Sequence, residues 1–169
     1  MTRLLSWRSF ANIAFQLAVL ALIVAAFFVR TSQVSGLSMA PHISSGEYVL
    51  VNTFAYKFTA PKRGDIVAFR HDEGARAVYI KRVIGLPGDR IRIDRGVVSI
   101  GGTPLAEPYV RFSDGRTFAP ITVPNGDVFV LGDNRAGSED SRVFGPVPED
   151  QLIGRALAGI WPPADMGTL

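Results

Sequence analysis

Residues 77–100 read AVYIKRVIGLPGDRIRIDRGVVSI. Ala77–Ile84, Arg90–Asp94 and Gly96–Ile100 are short runs rich in Val, Ile and Tyr, side chains that suit a pleated surface. Pro87-Gly88-Asp89 reads as a turn between the first two runs, and Gly96 marks a tight hairpin between the last two. Strand alternation in the first run places Tyr79, Lys81 and Val83 on one face and Ile80, Arg82 and Ile84 on the other. Outward from there, Glu47–Asn52, Asp65–Arg70 and Asp127–Gly132 have the same character, with turns at 63–65 and 124–127. Residues 103–125 are less regular and read as a surface excursion. Only Glu149–Ala156 reads as helical. The pattern predicts a mainly β, barrel-like domain of short strands, without repeats or a low-complexity linker.

The N-terminal end is different. Residues Phe10 to Val29 read FANIAFQLAVLALIVAAFFV, with no charge and only Asn12 and Gln16 strongly polar. As a helix, twenty residues rise about 30 Å, the thickness of a bilayer's hydrocarbon core. Bulky Phe27, Phe28 and Val29 run into Arg30 where a cleaved signal would carry small residues. An uncleaved anchor over 10–29 is expected. Arg3, Arg8 and the terminal amine precede it, and only Arg30 follows closely, so the positive-inside rule predicts residues 1–9 in the cytoplasm and 30–169 outside.

Composition narrows the chemistry. The net charge of +3 is spread among acids, which leaves no nucleic-acid patch. The absence of cysteine excludes disulfides and thiol chemistry. His42 and His71 are the only histidines, too few and too far apart for a zinc site, and no phosphate loop or dinucleotide fingerprint occurs, so no metal and no cofactor is expected. Scattered acids such as Asp72, Glu73, Asp89 and Glu107 give little support to paired-carboxylate chemistry. A hydroxyl or an amine remains. Ser38 sits in Ser35-Gly36-Leu37-Ser38-Met39-Ala40-Pro41, a frame that can fix a serine at a turn. Lys81 lies among apolar neighbours, where desolvation would lower its pKa and let it act as a neutral base. The residues alone leave this open. A serine in a Gly/Pro turn is ordinarily a turn residue, and a lysine beside an arginine on a strand ordinarily faces solvent.

The sequence resembles the bacterial type I signal peptidases at several places in the family's order. Gly36–Pro41 looks like the nucleophile box, Arg63–Phe69 like the strand box that follows it, and Tyr79–Arg82 with Gly85–Asp89 like the base box. Gly132-Asp133-Asn134-Arg135 with Ser138, Asp140, Ser141 and Arg142 looks like the last box, and the apolar span completes the plan. The resemblance implies a fold of coiled sheets and small barrels, and a membrane-bound, Ser–Lys serine protease. It implies cleavage of signal peptides from exported preproteins at the outer face of the cytoplasmic membrane. Ser38 would be nucleophile and Lys81 general base. Ser138 would orient the Lys81 amine, and Asp140 and Arg142 would support the site as an ion pair. Val34, Met39, Ile43 and Ile80 fall where the family lines small pockets for the substrate's −1 and −3 side chains, which favours alanine at both. The partners implied are preproteins and the phospholipid bilayer, with the enzyme a monomer.

The chain departs from the family pattern in places. Many members carry Ser or Thr two residues before the nucleophile, as an oxyanion donor; here that position is Gly36. The Ser38 N–H remains a donor, and the second is left open: either it falls to backbone or water, with Ser35 an ordinary solvated turn residue, which is the favoured reading, or Ser35 turns its hydroxyl inward; Gly36→Ser would add a donor if Gly36 does not need positive φ. His42 replaces the usual Thr, and Ala136-Gly137 an acid-Asn pair. A Ser38–His42 pair is a weaker alternative to Ser38–Lys81. The compact stretch between Arg90 and Pro124 leaves no room for a large accessory β domain. A specialised processing peptidase, an inactive anchored binding protein and a repressor-type autoprotease are the competing readings. The Gly-Asp-Asn-Arg box favours a general enzyme, intact Ser38, Lys81 and Ser138 disfavour the inactive protein, and the autoprotease would need a DNA-binding segment.

Overall fold

The structure is a computed structural model that describes residues 7–71, 77–162 and 166–168. Arg3, Asp72 and Glu73 lie outside the described residues.

Helix α1 runs Trp7–Phe28, and strand β1 follows at once over Val29–Gln33, so Val29 opens the β domain rather than closing the helix. Counted over the described residues, no helix is long and apolar enough to cross a membrane, and the expected span over 10–29 is not established by the fold. The helix itself is present. Phe10, Phe15, Leu17, Leu20, Leu22 and Ile23 all stand exposed along it.

The rest is β structure. The strands are β2 (Tyr48–Asn52), β3 (Ile66–Phe69), β4 (Tyr79–Gly85), β5 (Arg90–Asp94), β6 (Val97–Ile100), β7 (Thr103–Pro104), β8 (Phe118–Thr122), β9 (Asp127–Leu131), β10 (Val147–Pro148), β11 (Leu152–Trp161) and β12 (Gly167–Thr168). Two short helices, α2 (Ala55–Phe58) and α3 (Ser141–Phe144), lie between them. The larger sheet runs β1-β2-β11-β3-β4-β9-β10, with β12 on β11, and the smaller runs β7-β6-β5-β8. All named pairs are antiparallel.

Strand alternation divides the larger sheet between two cores. Ile66 and Ala68 of β3 join Val49, Val51, Ile80 and Ala156 in one, while Val67 and Phe69 join Val83, Val128, Val130 and Val147 in the other. Ile84, Ile91, Ile93, Val98, Phe129 and Leu131 form a third core, linking the two sheets. The smaller sheet takes its strands from residues 90–104 and 118–122.

Two expectations need correction. Glu149–Ala156 is not helical: Glu149–Gln151 makes a single 3-10 turn and Leu152–Trp161 is a strand. Leu and Ala in LIGRALAGIW favour helix locally. Pairing with both β2 and β3 overrides that preference, and register shifts near Ala156–Ala158 and Gly159–Trp161 break the alternation that would have marked a strand. Residues 103–125 are more than a surface excursion. Phe118–Thr122 pairs with β5, and Glu107, Tyr109 and Asp114 reach back into the site described next.

Candidate active site

Ser38 lies in the loop from β1 to β2. Ala40 N donates to Leu37 O (3.1 Å) and Ile43 N to Met39 O (3.0 Å), so the chain coils into a turn beginning at the serine. Met39 and Ile43, four residues apart, face one way and are buried in the first core with Val34. Their burial anchors the turn and leaves Ser38 half-buried at its rim. Val34 N donates to Glu47 O and Gly46 N to Val34 O, both at 2.8 Å, which closes the base of the loop. The Glu47 carboxylate accepts Ser44 N at 2.9 Å.

Gly36 has φ +102°, a region that L side chains rarely adopt. The condition under which a serine there would add an oxyanion donor is not met, because Gly36→Ser would strain the backbone by roughly 1–3 kcal/mol. The Gly36 N–H is also engaged, donating to Ser45 Oγ at 3.2 Å.

Lys81 comes from β4, where Val67 of β3 is its register partner. Its Nζ donates to Ser38 Oγ at 2.8 Å. The side chain is 4% exposed. Burial pushes its pKa down to about 8, and the Arg142 guanidinium acts in the same direction, against the opposing pull of Asp140 and Glu139. Its neighbour Arg82 points to the other face of the strand and is also buried. There its Nε and Nη2 grip the Asp133 carboxylate at 2.8 and 2.6 Å, and Tyr109 covers its guanidinium at 4.2 Å. Neither cation faces solvent, unlike the ordinary Lys-Arg pair on a strand.

The segment after β9 closes over the serine. Gly132 packs so tightly that a Cβ there would lie 2.5 Å from Ser38 O and 2.2 Å from Ser138 Oγ. Among the described residues Ser138 Oγ is buried without a hydrogen-bond partner, and the expected bond to the Lys81 amine is not formed. Ser138 lies close enough to Asp140 to help lower its pKa without making a well-formed bond to it. Asp140 is fully buried and paired bidentately with Arg142, at 2.7 Å (Nε) and 2.8 Å (Nη2), while Gly132 N donates to it at 3.0 Å. Burial opposes its charge, but these donors prevail and hold its carboxyl below the usual range. Arg142 also binds Asp114 at 2.7 Å, and Arg135 binds Glu107 at 2.5 Å. His42 faces Asp133, with Nδ1 3.5 Å from Oδ2, and no described hydrogen bond links it to Ser38. Among the described residues no cluster of His, Asp and Glu could hold a metal ion.

Beside Ser38 and Lys81 runs a cleft of about 470 Å³, walled by residues 32–35 and 77–81. Val34 and Ile80 line it, whereas Met39 and Ile43 are packed in the core behind. Among the described residues β1 is paired only on its β2 side, and β9 pairs with β4 only from Arg82 onward. Among those residues both walls therefore carry a strand edge.

The chain is similar to known proteins along most of its length. The family model described as "Signal peptidase, peptidase S26" matches residues 7–161. The probable signal peptidase I-2 of Synechocystis sp. is 32% identical over 169 residues, covering 97% of this chain and 78% of that protein. The signal peptidase I of Leptolyngbya laminosa is 37% identical over 158 residues, covering 89% and 78%. That of Bacillus caldolyticus is 39% identical over 143 residues, covering 76% and 78%. A solved signal peptidase I from Enterococcus faecalis is 33% identical, with a TM-score of 0.49 over 57% of this chain and 97% of that one. These sequence matches make the chain a peptidase. It belongs to the signal peptidase family, peptidase S26, and the relatives above are signal peptidases I.

Ser38, Lys81, Ser138, Asp140 and Arg142, which the sequence motifs single out, all lie within this one constellation. Arg82, Tyr109, Glu107, Asp114 and Asn134 carry no role in those motifs. The even alternation of AVYIKRVI was the one signal for Arg82, because it implies that a charge on each face needs its own partner.

Proposed function

We propose that this chain is a membrane-bound serine endopeptidase that removes signal peptides from exported preproteins, with Ser38 as nucleophile and neutral Lys81 as general base. The observation that carries this reading is the 2.8 Å contact between a buried Lys81 amine and Ser38 Oγ. A base must sit within hydrogen-bond reach of the proton it takes and titrate near working pH, and Lys81, at about 8, meets both conditions. Lys81 takes the Ser38 proton as Oγ attacks the scissile carbonyl. It returns that proton to the leaving amine, then activates the water that hydrolyses the acyl-serine. Ser38 N–H donates to the oxyanion. Ser138, whose buried hydroxyl makes no well-formed hydrogen bond among the described residues, accepts from the Lys81 ammonium as its charge forms. Asp140 and Arg142 hold the turn that carries Ser138.

The cleft suits an extended peptide. Its two strand edges offer backbone hydrogen bonds, and Val34 and Ile80, backed by Met39 and Ile43, leave room for small side chains at −1 and −3. The exposed apolar side chains around α1 support its residence in the cytoplasmic membrane, and the basic residues that precede it favour residues 30–169 outside. A reporter that works only outside the cytoplasm, fused after Leu169, is expected to be active; activity of a cytoplasm-only reporter there would overturn the topology. Nothing in the mechanism requires a second copy.

The test is incubation of the detergent-solubilised protein with a preprotein, beside Ser38→Ala. No processing by a folded Ser38→Ala protein is expected. Substantial processing by it would sink the assignment.

A further inference from the structure

The two peptide groups flanking the Ser38 Cα are both held by Asn134. Its side-chain Nδ2 donates to Leu37 O at 3.1 Å, and its backbone N donates to Ser38 O at 3.0 Å. The orientation of the amide is fixed from its other end, because Asn134 Oδ1 accepts Gly137 N at 3.1 Å. Asn134 is in turn tied to the excursion through its bridge to Phe112, whose carbonyl accepts Ala136 N at 3.2 Å.

A peptide unit is planar, and in its trans form the C=O and N–H point in opposite directions. The Leu37–Ser38 bond is not among the cis bonds of the chain. Leu37 O and Ser38 N–H belong to one rigid plane, and that oxygen takes two donors, Ala40 N from within the turn (3.1 Å) and Asn134 Nδ2 from outside it, so Asn134 ties the direction of the N–H to the segment after β9. Among the described residues no acceptor takes the Ser38 N–H. Holding the next carbonyl as well fixes both backbone dihedrals of Ser38, and with them the root from which Oγ leaves. Donation into the Leu37 carbonyl also polarises its peptide unit, which strengthens the N–H as a donor.

We infer that Asn134 is the positioning residue of the oxyanion donor: through Leu37 O it aims the Ser38 N–H at the developing negative charge. Asn134 touches neither Oγ nor Lys81 and acts only through the nucleophile's peptide plane. The inference rests on the Ser38–Lys81 chemistry proposed above.

Two variants of the full chain test it. Asn134→Asp keeps the acceptor for Gly137 N and loses the donor to Leu37 O. Asn134→Ser is too short to reach Leu37 O and adds no charge. Losing an oxyanion donor outright typically costs about a hundred- to thousandfold. A donor left in place but released should cost roughly ten- to a hundredfold in kcat. KM should stay within about twofold, and in the Ser variant the pH midpoint of kcat should not move. A peptide aldehyde, whose adduct with Ser38 carries an oxyanion-like oxygen, should lose affinity by the same factor as kcat. An uncleavable peptide of the same sequence should bind as before. A folded Asn134→Ser protein with kcat within threefold of wild type would overturn the inference, as would a loss of kcat with unchanged aldehyde affinity. If Asn134→Asp does not fold, the Ser variant alone decides. Ser38→Ala separates the two levels. If it is inactive while the Asn134 variants are fully active, only this inference fails; if it still processes preprotein, the Ser–Lys reading itself fails.

Discussion

Lys81→Met is expected to abolish processing and, at neutral pH, to yield a protein more stable than wild type. The loss follows from the chemistry: a thioether takes no proton, and removal of one member of a nucleophile–base pair typically costs about 10⁴-fold or more in kcat. The gain follows from burial. The folded-state pKa of Lys81, about 8, lies below its ordinary value of 10.5, so between these limits the unfolded chain binds more protons and stability rises with pH. At pH 7 the folded protein carries the full penalty of an enclosed ammonium, on the order of 3 kcal/mol. Methionine has similar length and no charge to desolvate, and replacing a buried cation in this way often stabilises. Thermal melts at pH 7 and pH 10 check the sign. The variant should melt higher at pH 7, and its advantage should shrink by pH 10, where wild-type Lys81 is neutral when folded. A Lys81→Met protein that processes preprotein, or one destabilised equally at both pH values, would contradict the assignment.

Gly132→Ala is expected to cost about a hundredfold or more in kcat. Its added carbon would fall 2.5 Å from Ser38 O, a backbone atom that cannot swing aside as a flexible side chain can. The nucleophile's peptide must shift, and a displacement near 1 Å at a reacting group can cost about a hundredfold. Overpacking adds about 1–3 kcal/mol of destabilisation. Gly85→Ala is the control. Its added carbon would meet Ile91 Cδ1 at 2.3 Å inside the third core, away from Ser38. That variant should lose stability and keep its turnover per folded molecule. Wild-type kcat in a folded Gly132→Ala protein would show that the close approach of Gly132 to Ser38 has no bearing on catalysis.

The legible parts of the sequence were those with local periodicity. β5 was read to the residue as Arg90–Asp94, and β3, β4 and β9 to within two residues at each end. β1, with polar Arg30, Thr31, Ser32 and Gln33, carried no strand signal; it forms because β2 pairs with it along its whole length. β11 carried a misleading one, since its Leu and Ala favour helix until two neighbouring strands claim them. The motifs singled out Ser38, Lys81, Ser138, Asp140 and Arg142 but not the other side chains packed around them. Lys81 and Arg82 look solvated in sequence because their covers arrive from far along the chain, Ser38 on one side and Asp133 on the other. Glu107 and Asp114 were illegible for a similar reason. They sit in a stretch without periodicity, and their partners Arg135 and Arg142 lie 28 residues on. The positive φ of Gly36 is a property of the folded loop, and it reverses the expected benefit of a serine there.

The central claim is that Lys81 titrates near working pH and, in its neutral form, is the base for Ser38. Besides Lys81, the chain has only Lys57 and Lys62, both exposed. An NMR titration of the lysine side chains in the full-length protein, with the Lys81 signal assigned by its loss in Lys81→Met, is therefore clean. Its midpoint should fall near 8 and coincide with the pH at which kcat, rising about tenfold per unit from the acid side, levels off. A Lys81 midpoint near the ordinary 10.5, or a kcat that levels off at a pH unrelated to it, would contradict the mechanism.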